Sequence, residues 1–482
     1  MELKWKVAAL VSVLGICLFL FTENGKPLDV QSSSVTGHSY VAAVVEFSPK
    51  GRLSNVTTAD VEENLKSYGN FVAEARSQEA DIIIFPEYGL TTISPYNQRD
   101  LALELSQVVP APGENMSPCD SDNEEEDFRV TKKLSCLAKE NGIYLVVNLL
   151  QKVMQDNKPL LYNTDAVFDR NGKIIARYRK FHLFGEIALN ETEIPDITTF
   201  DTDFGMTFGV ITCFDLMFRT PAVDLVRRQL VDGIVFPTAW FSELPFLTAS
   251  QAQAAWSAGM QVDLLASGFN NPVVGSTGSG VYQKGKFYTT MMSSEGNKIL
   301  VSRVGAGSAE TKLETKCGFK TLEEDLSKYT AKALTVSNQP QKETVCSSEL
   351  CCQVNYRINS NGLNHRNIHF QILVFSGERI HANIYKSKMQ VCAVVACASS
   401  EKQSCAHNFD KSKYSTNVLF SSLEISGNFS NDAVLPNTLN SHNCGPLKPE
   451  EFNFSSQNTF YSIRARQPSS GIHTFGLYSH GF

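Results

Sequence analysis

Short apolar runs alternate with amphipathic stretches from residue 39 to about residue 303, and that alternation leaves few folds open. YVAAVVEF, DIIIFPEYGL, IYLVVNLL, FGVITCFD and DGIVFPTAW read as strands, most of them apolar on both faces. Runs of that kind belong to sheets covered on both sides. After the first of them, TTADVEENLKSYGNFVAEARSQEA sets Val61, Leu65, Tyr68, Val72 and Ala75 on one face of a helix. Thr57 or Thr58 can cap that helix, and Asp60 and Glu62 fall in its first turn. DAVFDRNGKIIARYRK reads as a hairpin turning at Asn171-Gly172, and TPAVDLVRRQL as a helix with Pro221 in its first turn. The fold class implied is an α/β layer protein.

Beyond about residue 305 the helical period fades, cysteines crowd, and β-type runs such as IHFQILVF, MQVCAVVAC and TNVLFSSLEI take over. A chain of 482 residues exceeds one ordinary core. The expected organisation is a leader over residues 1–22, a catalytic domain over 36–308 and a smaller β-rich, disulfide-braced domain over 309–482. The leader follows from Lys4 and Lys6 ahead of an apolar stretch at residues 7–21, with a signal-anchor as the alternative. Export makes the 12 cysteines a disulfide question. Cys17 lies in the leader, and with Cys213 set aside as a free thiol an even ten remain. Their spacings form no paired CxxC knuckles, so no metal site is expected. Sequons at Asn55, Asn115, Asn190, Asn428 and Asn453 are candidate glycosylation sites of a secreted, extracellular protein. The formal charge of −7 argues against a nucleic-acid partner. The C-terminus carries no apolar tail, so no lipid anchor or other stable membrane attachment is expected.

Three of the strands end in reactive residues. DIIIFPE ends in Glu87, IIARYRK in Lys180 and FGVITC in Cys213. In α/β proteins sites form beyond the carboxyl ends of strands. A thiol, a carboxylate and an ammonium meeting there divide the work of acyl transfer: Cys213 attacks a carbonyl carbon, Glu87 takes the thiol proton, and Lys180 stabilises the oxyanion. Each has an ordinary alternative. Cys213 alone can be a packed core thiol, Glu87 a helix-start charge, and Lys180 a surface cation.

FPEYGL, YRKFHLFGE and GVITCFDLMF resemble the three catalytic segments of the nitrilase, or carbon–nitrogen hydrolase, superfamily. YNTDAVFDRNGKIIARYRKFHLFGE, IVFPTAWFSELP, CSSELCCQVNY and VCAVVACASSEKQSC narrow the resemblance to its vanin and biotinidase branch, over roughly residues 40–405. The segment SGFNNPVVGS departs from that pattern ahead of TGSGVY and is a candidate pocket wall. The resemblance implies an αββα sandwich with a β-rich second domain. It also implies Glu87 as general base, Lys180 as electrostatic stabiliser, Cys213 as nucleophile and Glu186 as an auxiliary carboxylate. The Phe214 N–H is a candidate oxyanion donor and Trp240 a candidate pocket wall. Asp215 is expected to order the turn after the nucleophile, and His182 to play a structural part.

The expected reaction is hydrolysis of a linear amide through a thioester on Cys213. It needs no cofactor and takes a small-molecule amide as its partner. A cysteine with an ordinary pKa near 8.5 is only a few per cent thiolate at neutral pH, so the carboxylate must be more basic than usual. Pantetheine, cleaved to pantothenate and cysteamine, is the favoured substrate. A biotinyl-lysine amide is the alternative within the family. A catalytically silent adhesion or binding protein is the alternative outside enzymology, although all three reactive positions are filled here.

Overall fold

The capping pattern at Thr57 sets the first helix. The Thr57 hydroxyl accepts from the Asp60 N–H, the Asp60 carboxylate accepts from the Thr57 N–H, and the helix runs Thr58–Ser77. It buries Val61, Leu65, Tyr68, Val72 and Ala75, as the spacing predicts, together with Asn64. The structure, a computed structural model, describes residues 39–51, 55–113, 117–305, 311–359, 369–381, 385–407, 418–431 and 433–481. The expected leader and Asn115 lie outside these residues.

Two sheets form the first part of the chain. One has six strands: Lys298–Val304, Tyr40–Glu46, Ile82–Ile84, Tyr144–Gln155, Lys158–Phe168 and Ile174–Arg179, in that order. The other has seven, running from Lys312–Thr315 at one edge through Asp263–Gly268, Gly233–Thr238 and Thr207–Val210 to Thr199–Asp201. Strand alternation explains how they stack. Ala42, Val44, Ile82, Ile84, Val146 and Tyr178 of the first sheet meet Phe208, Val210, Val235 and Leu265 of the second. The alternate positions Ala43, Val45, Ile83, Leu145 and Val147 pack beneath helices Thr58–Ser77 and Arg129–Asn141. Helix Ala249–Met260 covers the outer face of the second sheet through Ala252, Ala255 and Trp256. This is the expected αββα sandwich.

From Thr330 onwards the chain forms two five-stranded sheets around a core of its own, including Val354, Ile372, Val394, Ile425 and Phe475. Four disulfides lie in this region or tie into it, Cys317–Cys444, Cys346–Cys351, Cys352–Cys392 and Cys397–Cys405, and Cys119–Cys136 braces the first part. All ten expected cysteines are paired, and Cys213 is free. Helix Ala249–Met260 is wedged between the second sheet and strand Ala433–Asn440 so closely that a Cβ on Gly259 would sit 2.5 Å from Leu435. Gln251 Nε2 donates to Asn437 Oδ1 at 2.7 Å, and Asn437 Nδ2 returns a bond to the Phe246 carbonyl at 2.9 Å. These buried amides satisfy one another across the junction.

One element differs from expectation. TPAVDLVRRQL is not a sustained helix: an irregular turn at Arg219–Val223 leads into a single α turn, Asp224–Arg227. Asp224 draws in Arg219, Thr220 and Arg228, and Gln229 adopts a left-handed backbone that ends the helix. The hairpin at Asn171-Gly172 forms as expected, with Gly172 at φ +76°.

Candidate active site

Glu87, Lys180 and Cys213 arrive from three strand ends at one seam between the sheets. Glu87 follows Ile82–Ile84 and Lys180 follows Ile174–Arg179, both in the first sheet. Period-two alternation continues Ala176 and Tyr178 to Lys180, so the ammonium points between the sheets. Cys213 follows Thr207–Val210 of the second sheet and opens a 3-10 turn, Cys213–Met217. Its φ is +43°, a left-handed backbone at a residue with a side chain, and Tyr88 beside Glu87 has φ +62°. Backbone strain of this kind gathers at functional sites.

Lys180 Nζ donates to Glu87 Oε1 at 2.8 Å and to Glu186 Oε1 at 2.6 Å. Asn163 Nδ2 donates to the same two oxygens, at 2.8 and 3.2 Å, and the Tyr88 hydroxyl donates to Glu186 at 2.7 Å. Glu87 Oε2 accepts from the Ala239 N–H at 3.0 Å, across the seam from the end of strand Gly233–Thr238. Asn148 completes the frame, donating to Asn163 Oδ1 at 2.6 Å and to Asp165 at 2.8 Å. Glu186 Oε2 is buried without a hydrogen-bond partner.

Burial raises the Glu87 carboxyl above its ordinary range; Lys180 pulls it down, Glu186 pushes it up, and the net effect is a more basic carboxylate. Burial opposes the Lys180 charge, but Glu186 and Glu87 outweigh it and hold its pKa well above the ordinary value. Burial also pushes the Cys213 thiol up, helped by the Glu87 charge, while Lys180, the Thr238 hydroxyl and the Ala239 N–H pull the other way. These directions favour a neutral thiol beside the Lys180 ammonium, whose Nζ donates to the carboxyl groups of both Glu87 and Glu186. Asp165, buried beside Thr212 and Asn148, is pushed up to about 8 and is largely protonated at neutral pH.

Asp215 fastens the turn that carries Cys213. Its carboxylate accepts from the Tyr178 hydroxyl at 2.7 Å, the His182 N–H at 3.0 Å and the Thr212 N–H at 3.2 Å. His182 Nδ1 lies 2.9 Å from Asp215, and its ring stacks on Phe218 at 3.7 Å. Both side chains thereby help to fasten the turn. Phe214 is the second residue of the turn, where an N–H lacks an acceptor within the helix. Trp240 is both wall and core: it lines the cavity, and its indole N–H donates to the Leu247 carbonyl at 2.8 Å.

The cavity over Cys213 measures about 520 Å³. Phe184, Phe214, Trp240 and Phe241 come from the sandwich, and Arg379, Ile380 and His381 from the second part of the chain. The segment SGFNNPVVGS does not line it. Instead the Gly275 carbonyl accepts from Ser242, and the Pro272 carbonyl from Lys320, holding the neighbouring walls. Among the described residues no group of three or more His, Cys, Asp or Glu side chains is set to hold a metal ion. No helix there is long and apolar enough to cross a membrane. Asn55, Asn428 and Asn453 are exposed, whereas the Asn190 side-chain oxygen accepts from Arg99 and the Leu161 N–H.

Sequence reasoning missed Tyr88, Asn148, Asn163, Asp165, the Ala239 N–H and the whole contribution of Arg379 to His381. The signal for the amides was present: Asn148 interrupts an apolar strand, and Asn163 and Asp165 share one face of the next. Polar side chains there must be hydrogen-bonded.

The carbon–nitrogen hydrolase family model matches residues 41–290, and the vanin C-terminal domain model matches residues 319–482. The protein is an enzyme of the carbon–nitrogen hydrolase class, acting on amide bonds. Pantetheinase of Homo sapiens is 32% identical over 480 residues, covering 94% of this chain and 89% of the relative. Vanin-like protein 2 of Drosophila melanogaster is 30% identical over 500 residues, covering 94% and 91%. A crystal structure of Saccharomyces cerevisiae Nit3, a member of branch 10 of the nitrilase superfamily, matches with a TM-score of 0.43 at 23% identity, over 55% of this chain and 90% of that one. The chain belongs to the vanin family of carbon–nitrogen hydrolases.

Proposed function

We propose that this amidohydrolase cleaves pantetheine to pantothenate and cysteamine through a thioester on Cys213. The observation that carries the reading is the buried Glu87–Lys180 pair, joined through the Ala239 N–H to the wall of the open-mouthed cavity that Cys213 lines. Relatives named pantetheinase, at about 30% identity over most of the chain, support the choice of amide.

The Glu87 carboxylate removes the thiol proton as sulfur bonds to the carbonyl carbon. Lys180 and the Phe214 N–H receive the oxyanion, a contribution of about 3–4 kcal/mol for a donor of this kind. The tetrahedral intermediate collapses: the carbon–nitrogen bond breaks, Glu87 gives its proton to the departing nitrogen, and cysteamine leaves. Water then loses a proton to Glu87 and adds to the thioester, and the sulfur departs and regains that proton. One water is consumed, and Glu87 returns to its starting state. Glu186 shares the Lys180 charge throughout and fixes the ammonium between the two carboxylates. The five disulfides support a further part of the reading, that the protein works outside the cytosol as a secreted enzyme.

The test is purified protein incubated with pantetheine and, separately, with biotinyl-lysine, following pantothenate and lysine release. The expected kcat/KM is at least about 100-fold higher on pantetheine, the range one well-formed recognition element supplies. The reverse preference reassigns the substrate, and silence on both removes the reading.

A further inference from the structure

Most of the cavity wall is apolar, yet it also carries an ion pair that the chemistry at Cys213 does not use. Arg379, on strand Phe370–His381, donates from Nη2 to Glu243 Oε1, on the short strand beyond Trp240. Both side chains line the cavity. On its inner side Arg379 Nη1 lies 3.3 Å from Glu324 Oε2, without a hydrogen bond, and the other Glu324 oxygen accepts from the Tyr329 hydroxyl at 2.6 Å. The other charged wall residue is Glu323; the neighbouring His381, with its pKa lowered to about 3 by burial and the Arg379 charge, stays neutral.

Depth separates this pair from the mouth. The Arg379 and Glu243 side chains are 16% and 17% exposed, whereas the wall residues Phe184, Leu322 and Ile380 are 37%, 44% and 54% exposed. Once the amine has left, only the acyl group remains on Cys213; on the proposal below, the less exposed zone holds that chain and the rim faces the amine. A guanidinium already matched by carboxylates does not select an anion. It offers N–H donors, and its partner carboxylate offers an acceptor, to neutral hydroxyl groups. The acyl chain of pantetheine ends in a 1,3-diol flanking two methyl groups, which suits a polar pair set in an apolar wall.

We propose that the Glu243–Arg379 pair determines specificity by hydrogen-bonding the hydroxylated end of the acyl chain, so that the second part of the chain reads the substrate. This rests on the pantetheine reading above. The test compares pantetheine with an analogue whose terminal dihydroxy-dimethylbutanoyl group is replaced by 3,3-dimethylbutanoyl. The wild-type protein is expected to favour pantetheine at least about tenfold in kcat/KM, chiefly through KM. In Glu243→Leu and Arg379→Met, which remove the acceptor and the donors, that preference falls towards one. Glu243→Leu carries the test by itself if Arg379→Met fails to fold, because it leaves the Arg379–Glu324 contact in place. Retention of the wild-type preference in Glu243→Leu, or an equal loss on both substrates, overturns the proposal. A wild-type protein silent on both amides overturns the pantetheine reading instead, and this proposal with it.

Discussion

Cys213→Ser is expected to lower amide turnover by about 10⁴-fold or more while shifting the melting temperature by no more than about 2 °C. Serine keeps the side-chain shape and the left-handed backbone of the turn, whose hold comes from Asp215 rather than from the sulfur. What it loses is a nucleophile that Glu87 can deprotonate; a serine hydroxyl is far less acidic. A thiol present only for packing predicts the opposite pair of results, an altered melting temperature with activity intact. Steady-state rates and a thermal unfolding curve on the same preparation separate the two.

Lys180→Met is expected to damage both chemistry and fold. The ammonium bonds two carboxylates whose side chains are 0% and 3% exposed. Breaking a buried pair by removing one partner costs about 3–5 kcal/mol, because the remaining charge is left uncompensated. Turnover falls by about 10³-fold or more, since the oxyanion loses a charged donor. The loss should lie in kcat rather than KM, because Lys180 meets an oxygen that becomes charged only during the reaction. The sign of the pH effect follows from the same contacts. Glu87 works as a base only when ionised, so activity is present above its pKa and falls away as pH drops through it. Lys180 lowers that pKa and Glu186 raises it. Removing Lys180 therefore moves the acid limb of the kcat/KM profile to higher pH. A variant with unchanged kcat, an unmoved acid limb and a raised KM contradicts the assigned role.

Much of this site was legible in the sequence, for a physical reason. A buried strand that ends in Glu, Lys or Cys puts a polar or reactive side chain where only apolar ones are expected, and Glu87, Lys180 and Cys213 are all buried there. Helix Thr58–Ser77 was equally plain, because one face is wet and the other dry. Helix Ala249–Met260 gave no such signal: Ala249 to Ser257 are all buried, between the second sheet and the β-rich part, so no polar face marks its period. The Ala239 N–H was invisible because a backbone donor carries no letter of its own. The Arg379 wall was hidden for another reason. Its register against Glu243, 136 residues earlier, is fixed only by the packing of the two parts of the chain. The sequence marks three candidate reactive groups at strand ends, whereas the cavity that Cys213 lines is a product of tertiary packing.

Whether sulfur carries the acyl group is read by acid-quenching the wild-type protein during turnover of pantetheine and weighing its peptides. A thioester on Cys213 gives a pantothenoyl mass on the peptide containing that residue, appearing within the first turnover and disappearing as substrate is exhausted. Steady release of pantothenate with that peptide unmodified, or with the mass on another residue, contradicts it.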